Sequence, residues 1–291
     1  MKTNFLFYFI LFLLFITCKK VNSDKSQTTI GISQNSILGK IKNKTEKNIL
    51  VCAHRSFHKF APENSLQSIK KAIEAQIDFV ELDVRTTKDN ILVLMHDDSI
   101  GRVSTGKGFV KDYTYKELQR FNLKINDSIT NEKIPLLKDA LRLAKGKVIP
   151  NLDLKAVNYK QLYSMLKAYD MEHEVISFIG KKEKVMEMIG IDSLYATLPL
   201  SKTKEDVWFY TKNTRSALQH FTEESFTPQM MKLAMKNNQL IFINTLWNED
   251  DDFILGNTES MDRVIALKPA IIQTDHPKLL LEYLRSKNLH N

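Results

Sequence analysis

The alternation of short apolar runs with amphipathic helical patterns is the feature that most limits what this chain can fold into. Strand-like runs such as residues 49–53, 79–84 and 147–154 alternate with helical segments down to the last residue. Such alternation predicts a parallel sheet. About eight units in about 240 residues favour an α/β TIM barrel over an open doubly wound sheet. Residues 101–115 interrupt this alternation of strands and helices, which indicates a short loop excursion after the second strand.

The first 18 residues have the pattern of a secretion signal and not of a folded segment. Lys2 precedes an apolar run at residues 5–16, which is too short for a membrane-spanning helix. The run ends at Cys18, where its pattern resembles the lipobox of bacterial lipoproteins. Residues 1–18 are therefore predicted to be a signal peptide with Cys18 as the lipid anchor. The alternative is an ordinary cleaved signal that contains a cysteine.

The remaining chain divides into a polar stretch and one domain. Residues 19–47 are rich in Ser, Asn, Thr and Lys, which predicts a flexible tether. Residues 48–291 are predicted to form the catalytic domain. The net charge of +8 is scattered along the chain and no Arg-rich motif accompanies it, so nucleic acid is not an expected partner. We expect an exported protein held at a bacterial membrane, on the periplasmic or the surface face.

Polar side chains follow several of the predicted strands at the point where each strand ends. Catalytic residues of TIM barrels lie at this end. The acidic residues Glu81, Asp83 and Asp153 offer hard oxygen ligands, which suit Mg²⁺ or Ca²⁺ better than zinc. The basic and titratable residues at the same positions are His54, Arg55, His96 and Lys155. Arginine and lysine can hold phosphate oxygens, and histidines can act as acid and base, so the set predicts phosphodiester hydrolysis.

Each of these signals is weak when it is taken alone. A Glu-x-Asp pair is common on exposed strands, and a histidine that ends an apolar strand is more often structural. Their combination at the ends of independent strands is much more specific, because unrelated strands rarely end in chemically compatible groups.

The motifs together resemble the glycerophosphodiester phosphodiesterase family, in its bacterial secreted or lipoprotein type. The matching segments are His54-Arg55-Ser56, Pro62-Glu63-Asn64-Ser65, Glu81-Leu82-Asp83-Val84, Thr87-Lys88-Asp89-Asn90, Met95-His96-Asp97 and Thr274-Asp275-His276-Pro277. The resemblance spans about 240 residues, which is the size of one barrel domain. It implies metal-dependent hydrolysis of a glycerophosphodiester to glycerol 3-phosphate and an alcohol.

The same resemblance implies a role for each site residue. His54 and His96 correspond to the family's acid–base pair, and Lys155 to its active-site lysine. One divalent cation, Mg²⁺ or Ca²⁺, would bind to Glu81, Asp83 and Asp153. Arg55 corresponds to the family's substrate-binding arginine. Glu63 corresponds to a residue near the metal and substrate, although a helix N-terminal acid stabilised by the helix dipole is an equal alternative.

Three positions depart from the family pattern. Ser56 replaces a glycine, and Asp153 replaces a glutamate that is one methylene longer. The segment Asn244-Thr245-Leu246-Trp247 stands where the family often has Trp-Thr-Val-Asn. The resemblance therefore does not predict the shape of the substrate pocket. Two alternative functions therefore remain: a phospholipase-like phosphodiesterase on the same scaffold, and a phosphodiester-binding protein that has lost catalysis.

Overall fold

The computed structural model describes residues 36–291, which contain a closed barrel of parallel strands. The first strand pairs with both the last and the second, and these contacts close the sheet. The predicted TIM barrel is therefore confirmed. The barrel strands are β1 (Leu50–Ala53), β2 (Phe79–Thr86), β3 (Ile149–Ala156), β4 (Ile176–Ile179), β5 (Thr197–Ser201), β6 (Leu218–Phe221), β7 (Leu240–Asn244) and β8 (Ile271–Thr274).

Helices connect the strands and bury their apolar faces on the outside of the barrel. Side-chain oxygens of Ser65, Asn158, Thr203 and Thr227 accept a backbone N–H at the start of four of these helices. Such caps satisfy donors that the first helical turn leaves free. The helices are α1 (Ile37–Thr45), α2 (Leu66–Glu74), α3 (Tyr115–Leu118), α4 (Leu137–Ala144), α5 (Tyr159–Ala168), α6 (Lys182–Ile191), α7 (Lys204–Asn213), α8 (Pro228–Lys236), α9 (Asn248–Ile254), α10 (Glu259–Ala266) and α11 (Pro277–Ser286).

The barrel interior changes from apolar to polar along the strands. At the amino ends of the strands a buried cluster contains Leu50, Phe79, Ile176, Leu218 and Ile271. Alternate residues of a strand face the same side. The later inward positions are therefore the polar residues Glu81 and Asp83 on β2, Asn151 and Asp153 on β3, His220 on β6 and Gln273 on β8. The carboxyl ends of the strands thus form the polar end of the barrel.

Helix α1 closes the apolar end of the barrel, so the predicted tether over residues 19–47 is wrong for its last part. Ser36 caps α1, and Ile37, Leu38 and Ile41 are buried in the cluster at the amino ends of the strands. Burial of these side chains stabilises a helix that has little apolar periodicity of its own. Residues 1–35, with the predicted signal, Cys18 and the rest of the tether, lie outside the described residues.

The excursion after the second strand is present and is longer than predicted. A short strand, Leu92–Leu94, runs antiparallel to β2, and the chain returns to the barrel only at α4. The excursion has its own small core, which includes Val93, Ile100 and Leu118. A Cβ on Gly106 would lie 2.5 Å from Ile100 and 2.7 Å from Phe121, so this core requires glycine there.

Strand β5 begins at Thr197, directly after a turn. The Asp192 carboxylate accepts the backbone N–H of Leu194 at 2.8 Å and holds the residues before β5 in a turn.

Among residues 36–291, no helix is both long and apolar enough to cross a membrane.

Candidate active site

Three carboxylates converge at the polar end of the barrel. Glu81 and Asp83 lie two residues apart on β2, and Asp153 lies directly opposite Asp83 on β3. One oxygen from each residue lies within 4.8 Å of the others. Oxygens that bind one Mg²⁺ or Ca²⁺ at about 2.0–2.6 Å can lie up to about 5 Å apart. The spacing therefore fits one cation, and Asp153 stays within reach although it is shorter than glutamate.

The charge balance of this cluster also favours a cation. Burial, together with the neighbouring Asp83 and Asp153, raises the pKa of Glu81 well above its usual value. Burial also raises the pKa of Asp153, although Lys155 opposes the change. A divalent ion would offset the cost of holding these carboxylates ionised together.

Lys155 lies within the acidic cluster. Its Nζ atom lies 2.6 Å from Asp153 Oδ2 and 3.1 Å from Asp83 Oδ1. Although burial acts in the opposite direction, Asp153 and Asp83 raise the pKa of Lys155, which is therefore cationic at neutral pH. It can contribute a positive charge to a phosphate group bound beside the carboxylates.

Backbone and amide hydrogen bonds fix the two buried carboxylates on β2. The Arg55 N–H donates to Glu81 Oε2 at 2.7 Å. Asn64 donates its side-chain N–H to Asp83 Oδ2 at 2.7 Å and accepts the Asp83 backbone N–H at 3.0 Å. Asn64 was not among the predicted site residues, although it lies in the Pro-Glu-Asn-Ser motif. These contacts orient the carboxylate oxygens toward the barrel mouth.

The segment after β1 has an unusual backbone. Arg55 and Ser56 have φ angles of 48° and 63°, in the region that favours glycine. Ser56 takes this conformation because its N–H donates to the backbone oxygen of Glu81 at 2.9 Å. The glycine found here in the resembled family is thus explained by the backbone, and Ser56 holds the same turn at some cost in strain.

Each of the two predicted catalytic histidines has one ring nitrogen paired with a carboxylate. His54 Nδ1 lies 2.7 Å from Asp275 Oδ1, and His96 Nδ1 lies 2.7 Å from Asp97 Oδ1. A carboxylate accepts a hydrogen bond, so Nδ1 carries the proton and Nε2 remains available for proton exchange. The sequence prediction did not include Asp97 and Asp275 as site residues, although each lies in a motif that was recognised.

Asp275 is held firmly as the partner of His54. Although burial acts in the opposite direction, the hydrogen bond from His54 and the charges of His58 and Lys59 lower the pKa of Asp275 to about 2. Its backbone N–H donates to Asp250 Oδ2 at 2.7 Å. Burial raises the pKa of Asp250 to about 6, despite hydrogen bonds from Thr274 and Thr245. Asp275, at the end of β8, is thus fixed by His54 through its side chain and by Asp250 through its backbone.

Glu63 is not part of the acidic cluster. Arg102 donates to both of its oxygens, at 2.9 and 2.7 Å, and Arg55 donates to Oε2 at 3.2 Å. Two arginines thus occupy both oxygens, and the predicted place of Glu63 near the metal and substrate stays a prediction. Glu63 instead orients Arg55, whose Nε atom has no hydrogen-bond partner among the described residues. This buried atom therefore has a hydrogen bond to donate that residues 36–291 do not use.

Arg102 links the two sides of the site and was not predicted. Its Nε donates to Asp97 Oδ2 at 2.6 Å while its other nitrogens hold Glu63. The hydrogen bond from Arg102 is the main reason that the pKa of Asp97 is lowered to about 2. Arg102 lies in the excursion, so this loop connects the His96–Asp97 pair to the Glu63–Arg55 pair.

We expect Arg102→Leu to lower kcat about tenfold, which corresponds to about 1.4 kcal/mol, because His96 and Arg55 lose a shared support. The pKa of Asp97 should rise toward its unfolded value. Ionised Asp97 stabilises the folded protein above about pH 4, and this stabilisation is lost as the pH falls toward 2. The variant should have less of this stabilisation. The loss in Tm relative to the unchanged protein should therefore be larger at pH 7 than at pH 3.

The matched control is Arg142→Leu, which removes an exposed arginine that pairs with Asp139 at 3.7 Å. Kinetics and thermal unfolding measured on both variants check the prediction. Equal kcat values for the two variants would contradict a role for Arg102 in the site.

Comparison with known proteins places this geometry in a family. The model of the Glycerophosphoryl diester phosphodiesterase family matches residues 54–279. The chain belongs to this family. A glycerophosphodiester phosphodiesterase of Caldanaerobacter subterraneus is 30% identical over 251 residues, which cover 81% of this chain and 98% of the relative. Membership of this family identifies the protein as a phosphodiesterase.

Solved structures agree with the fold. A glycerophosphoryl diester phosphodiesterase from Parabacteroides distasonis has a TM-score of 0.78 and 28% identity, and the match covers 87% of this chain and 92% of that one. An Oleispira antarctica phosphodiesterase, solved in complex with the product sn-glycerol-3-phosphate, has a TM-score of 0.67 and 20% identity. That match covers 81% of this chain and 96% of the other.

Proposed function

We propose that this phosphodiesterase hydrolyses glycerophosphodiesters to glycerol 3-phosphate and an alcohol, with one bound divalent cation. The observation that carries the proposal is the acidic cluster of Glu81, Asp83 and Asp153 beside two histidines that each have a carboxylate partner. The names of the family and of its relatives support the substrate class. So does the product in the Oleispira antarctica structure.

The cation in this proposal is Mg²⁺ or Ca²⁺, held by Glu81, Asp83 and Asp153. All three ligands are carboxylates, and hard oxygen donors suit these ions. When bound, the cation would neutralise charge on the phosphate oxygens. Lys155 and Arg55 would hold the remaining oxygens and orient the phosphorus toward the attacking hydroxyl.

The two histidines supply proton transfer in the proposed reaction. In the mechanism that family membership implies, the glycerol 2-hydroxyl attacks phosphorus and water then opens the cyclic phosphate. One imidazole takes the hydroxyl proton at Nε2, and the other donates a proton to the leaving alcohol. Asp275 and Asp97 keep Nδ1 protonated in His54 and His96, which leaves Nε2 as the exchanging atom in both.

Assay of glycerophosphocholine with Mg²⁺ or Ca²⁺, with and without EDTA, tests the proposal. We expect release of glycerol 3-phosphate that stops on chelation and returns with added cation. Turnover of phosphatidylcholine or phosphatidylinositol vesicles in place of glycerophosphocholine would support the phospholipase alternative. Binding of glycerol 3-phosphate without turnover under any divalent cation would support a binding protein.

We also propose that the protein is exported and held at a bacterial membrane by acylation of Cys18. The support is the apolar run at residues 5–16 that ends at Cys18 behind a positive start. Cys18→Ser should abolish incorporation of labelled fatty acid and release the protein from the membrane fraction. Cys52→Ser is the matched control, since Cys52 is buried in the barrel and should not be acylated. If mass spectrometry finds no lipid on the wild-type protein, residues 1–18 are instead an ordinary cleaved signal peptide.

A further inference from the structure

Arg85 is a half-buried arginine at the end of β2 that holds the backbone of His96. It follows Asp83 by two residues, so its side chain leaves the strand on the face that carries the acidic cluster. Its Nε and Nη2 atoms both donate to the backbone oxygen of His96, at 3.1 and 2.8 Å. Within residues 36–291, no carboxylate forms an ion pair with Arg85. Two donors of its planar guanidinium therefore serve this one carbonyl.

The backbone of His96 lies just beyond the end of a β ladder. The short strand Leu92–Leu94 pairs with β2, and the Met95 N–H then donates to the backbone oxygen of Asp83 at 2.9 Å. From there the chain leaves β2 for the excursion. No backbone N–H of the described residues donates to the His96 carbonyl. The guanidinium of Arg85 therefore replaces the missing ladder bond at this peptide.

The pairing of β2 with β3 shifts at the same position. Val84 lies opposite Leu154, whereas Arg85 lies opposite Ala156. Lys155 is therefore an extra residue on β3. An extra residue of this kind re-aims side chains and is common next to active sites. At this shift the two cationic side chains separate, since Lys155 contacts the acidic cluster and Arg85 contacts the start of the excursion.

The ring and the peptide of His96 are held by different parts of the molecule. Asp97 pairs with the ring at Nδ1, and Arg102 pairs with Asp97, so these contacts lie within the excursion. Arg85 is the side chain that ties the His96 peptide to the barrel strand bearing Glu81 and Asp83. Without it the ring could keep its partner Asp97 and still shift relative to the acidic cluster. A displacement of about 1 Å can cost about 10²-fold in rate.

We propose that Arg85 is a positioning residue, which holds the imidazole of His96 at a fixed place relative to the acidic cluster. The inference rests on the proposed role of His96 in proton transfer. Arg85 acts through the His96 backbone and needs no contact with the substrate. Its loss should therefore lower kcat and leave KM nearly unchanged.

Kinetics of Arg85→Met and Arg85→Lys on glycerophosphocholine test the inference. Methionine keeps an unbranched side chain but cannot donate a hydrogen bond, so kcat should fall by about 10–10²-fold while KM stays within about twofold. Lysine should recover part of the loss, because its ammonium can still donate to the carbonyl. Arg215→Met is the matched control and should keep its kcat, since Arg215 is exposed near the amino end of β6.

A double-mutant cycle separates positioning of His96 from general damage to the site. His96→Ala has no imidazole to position. Adding Arg85→Met to His96→Ala should therefore lower kcat by less than about twofold. An equal fall in kcat with and without His96 would overturn the inference, because Arg85 would then act on another group.

Nitrogen-15 NMR of labelled histidine rings provides a readout that does not depend on turnover. The signals missing from His96→Ala identify His96. At about pH 8, where an ordinary imidazole is neutral, the unchanged protein should show His96 protonated at Nδ1, opposite Asp97. Arg85→Met should add signals of the Nε2-protonated tautomer, because the ring then leaves its fixed place, and Arg215→Met should not.

The NMR result and the kinetics fail in different ways. A single, unchanged tautomer of His96 in Arg85→Met would overturn the positioning role. Absence of turnover in the unchanged protein with any divalent cation would instead reject the proposed function. Near-normal turnover of His96→Ala would reject the proposed role of His96 and the inference with it.

Discussion

Replacing His54 or His96 by alanine will lower kcat by about 10²–10⁴-fold, the range that acid–base catalysis supplies. Each variant removes an imidazole whose Nδ1 is held by a carboxylate and whose Nε2 is proposed to exchange a proton. Binding of glycerol 3-phosphate should change much less, because in the proposed site the acidic cluster with its cation, Lys155 and Arg55 would still hold the phosphate. The expected result is therefore a large fall in kcat with a small change in the dissociation constant for the product.

The pH dependence provides a second readout for the same prediction. An acid and a base that act together must be in opposite protonation states, so the rate of the unchanged protein should follow a bell-shaped curve. Each alanine variant should lose one limb of this curve. His173→Ala is the matched control, since His173 is exposed and pairs with Asp192 outside the barrel mouth. Near-normal turnover in both His54→Ala and His96→Ala would rule out the proposed acid–base pair.

Glu81→Gln and Asp83→Asn should each abolish measurable turnover and also remove the stabilisation that a divalent cation gives. A ligand that binds only the folded state stabilises it by about 2.7 kcal/mol at a concentration of 100 Kd. Mg²⁺ or Ca²⁺ should therefore raise the Tm of the unchanged protein by several degrees. An amide cannot supply the charge that attracts the ion, so the Tm of either variant should stay the same when the cation is added.

Thermal unfolding with and without cation measures this effect independently of activity. Asp170→Asn is the matched control, because its carboxylate is 92% exposed and its one ion pair within residues 36–291 is with Lys145 at 3.6 Å. This control should keep both the activity and the shift in Tm. A full cation-induced shift in Glu81→Gln and Asp83→Asn would place the cation elsewhere. Full activity of the unchanged protein in excess chelator would remove the cation from the reaction.

The barrel and the acidic cluster could be predicted because local patterns specify them. Parallel strands need helical crossovers, so alternating strand and helix patterns point to one architecture. Glu81 and Asp83 are two residues apart on one strand, and that spacing alone places them on one face. Their convergence with Asp153 follows from the rule that active sites lie at the carboxyl ends of barrel strands.

The supporting contacts of the site could not be predicted, because they join residues that are far apart in sequence. Arg102 reaches Glu63 across 39 positions, and Asp275 reaches His54 across 221. No periodic pattern relates such pairs. The same reason explains why the contacts of Glu63 with Arg102 and Arg55 could not be predicted from its motif.

The error at residues 36–47 has a similar origin. Helix α1 is nine residues long and contains several lysines, so its sequence alone reads as a polar segment. The apolar surface that stabilises it is supplied by strands that lie far along the chain, among them β2 and β8. A short helix with a nonlocal partner leaves little trace in local periodicity.

Because α1 seals one end of the barrel, the folding unit cannot be shortened to residue 48. Removing Ile37, Leu38 and Ile41 would open the amino-terminal end and expose Leu50 and Phe79 to water. Each buried side chain that is lost contributes about 1.5–3 kcal/mol. The ion pairs Lys40–Glu174 at 3.0 Å and Lys44–Asp78 at 3.4 Å would be lost with them. A truncated protein that begins at Asn48 should aggregate or unfold at room temperature, whereas one that begins just before Ser36 should retain the cooperative unfolding of an intact barrel.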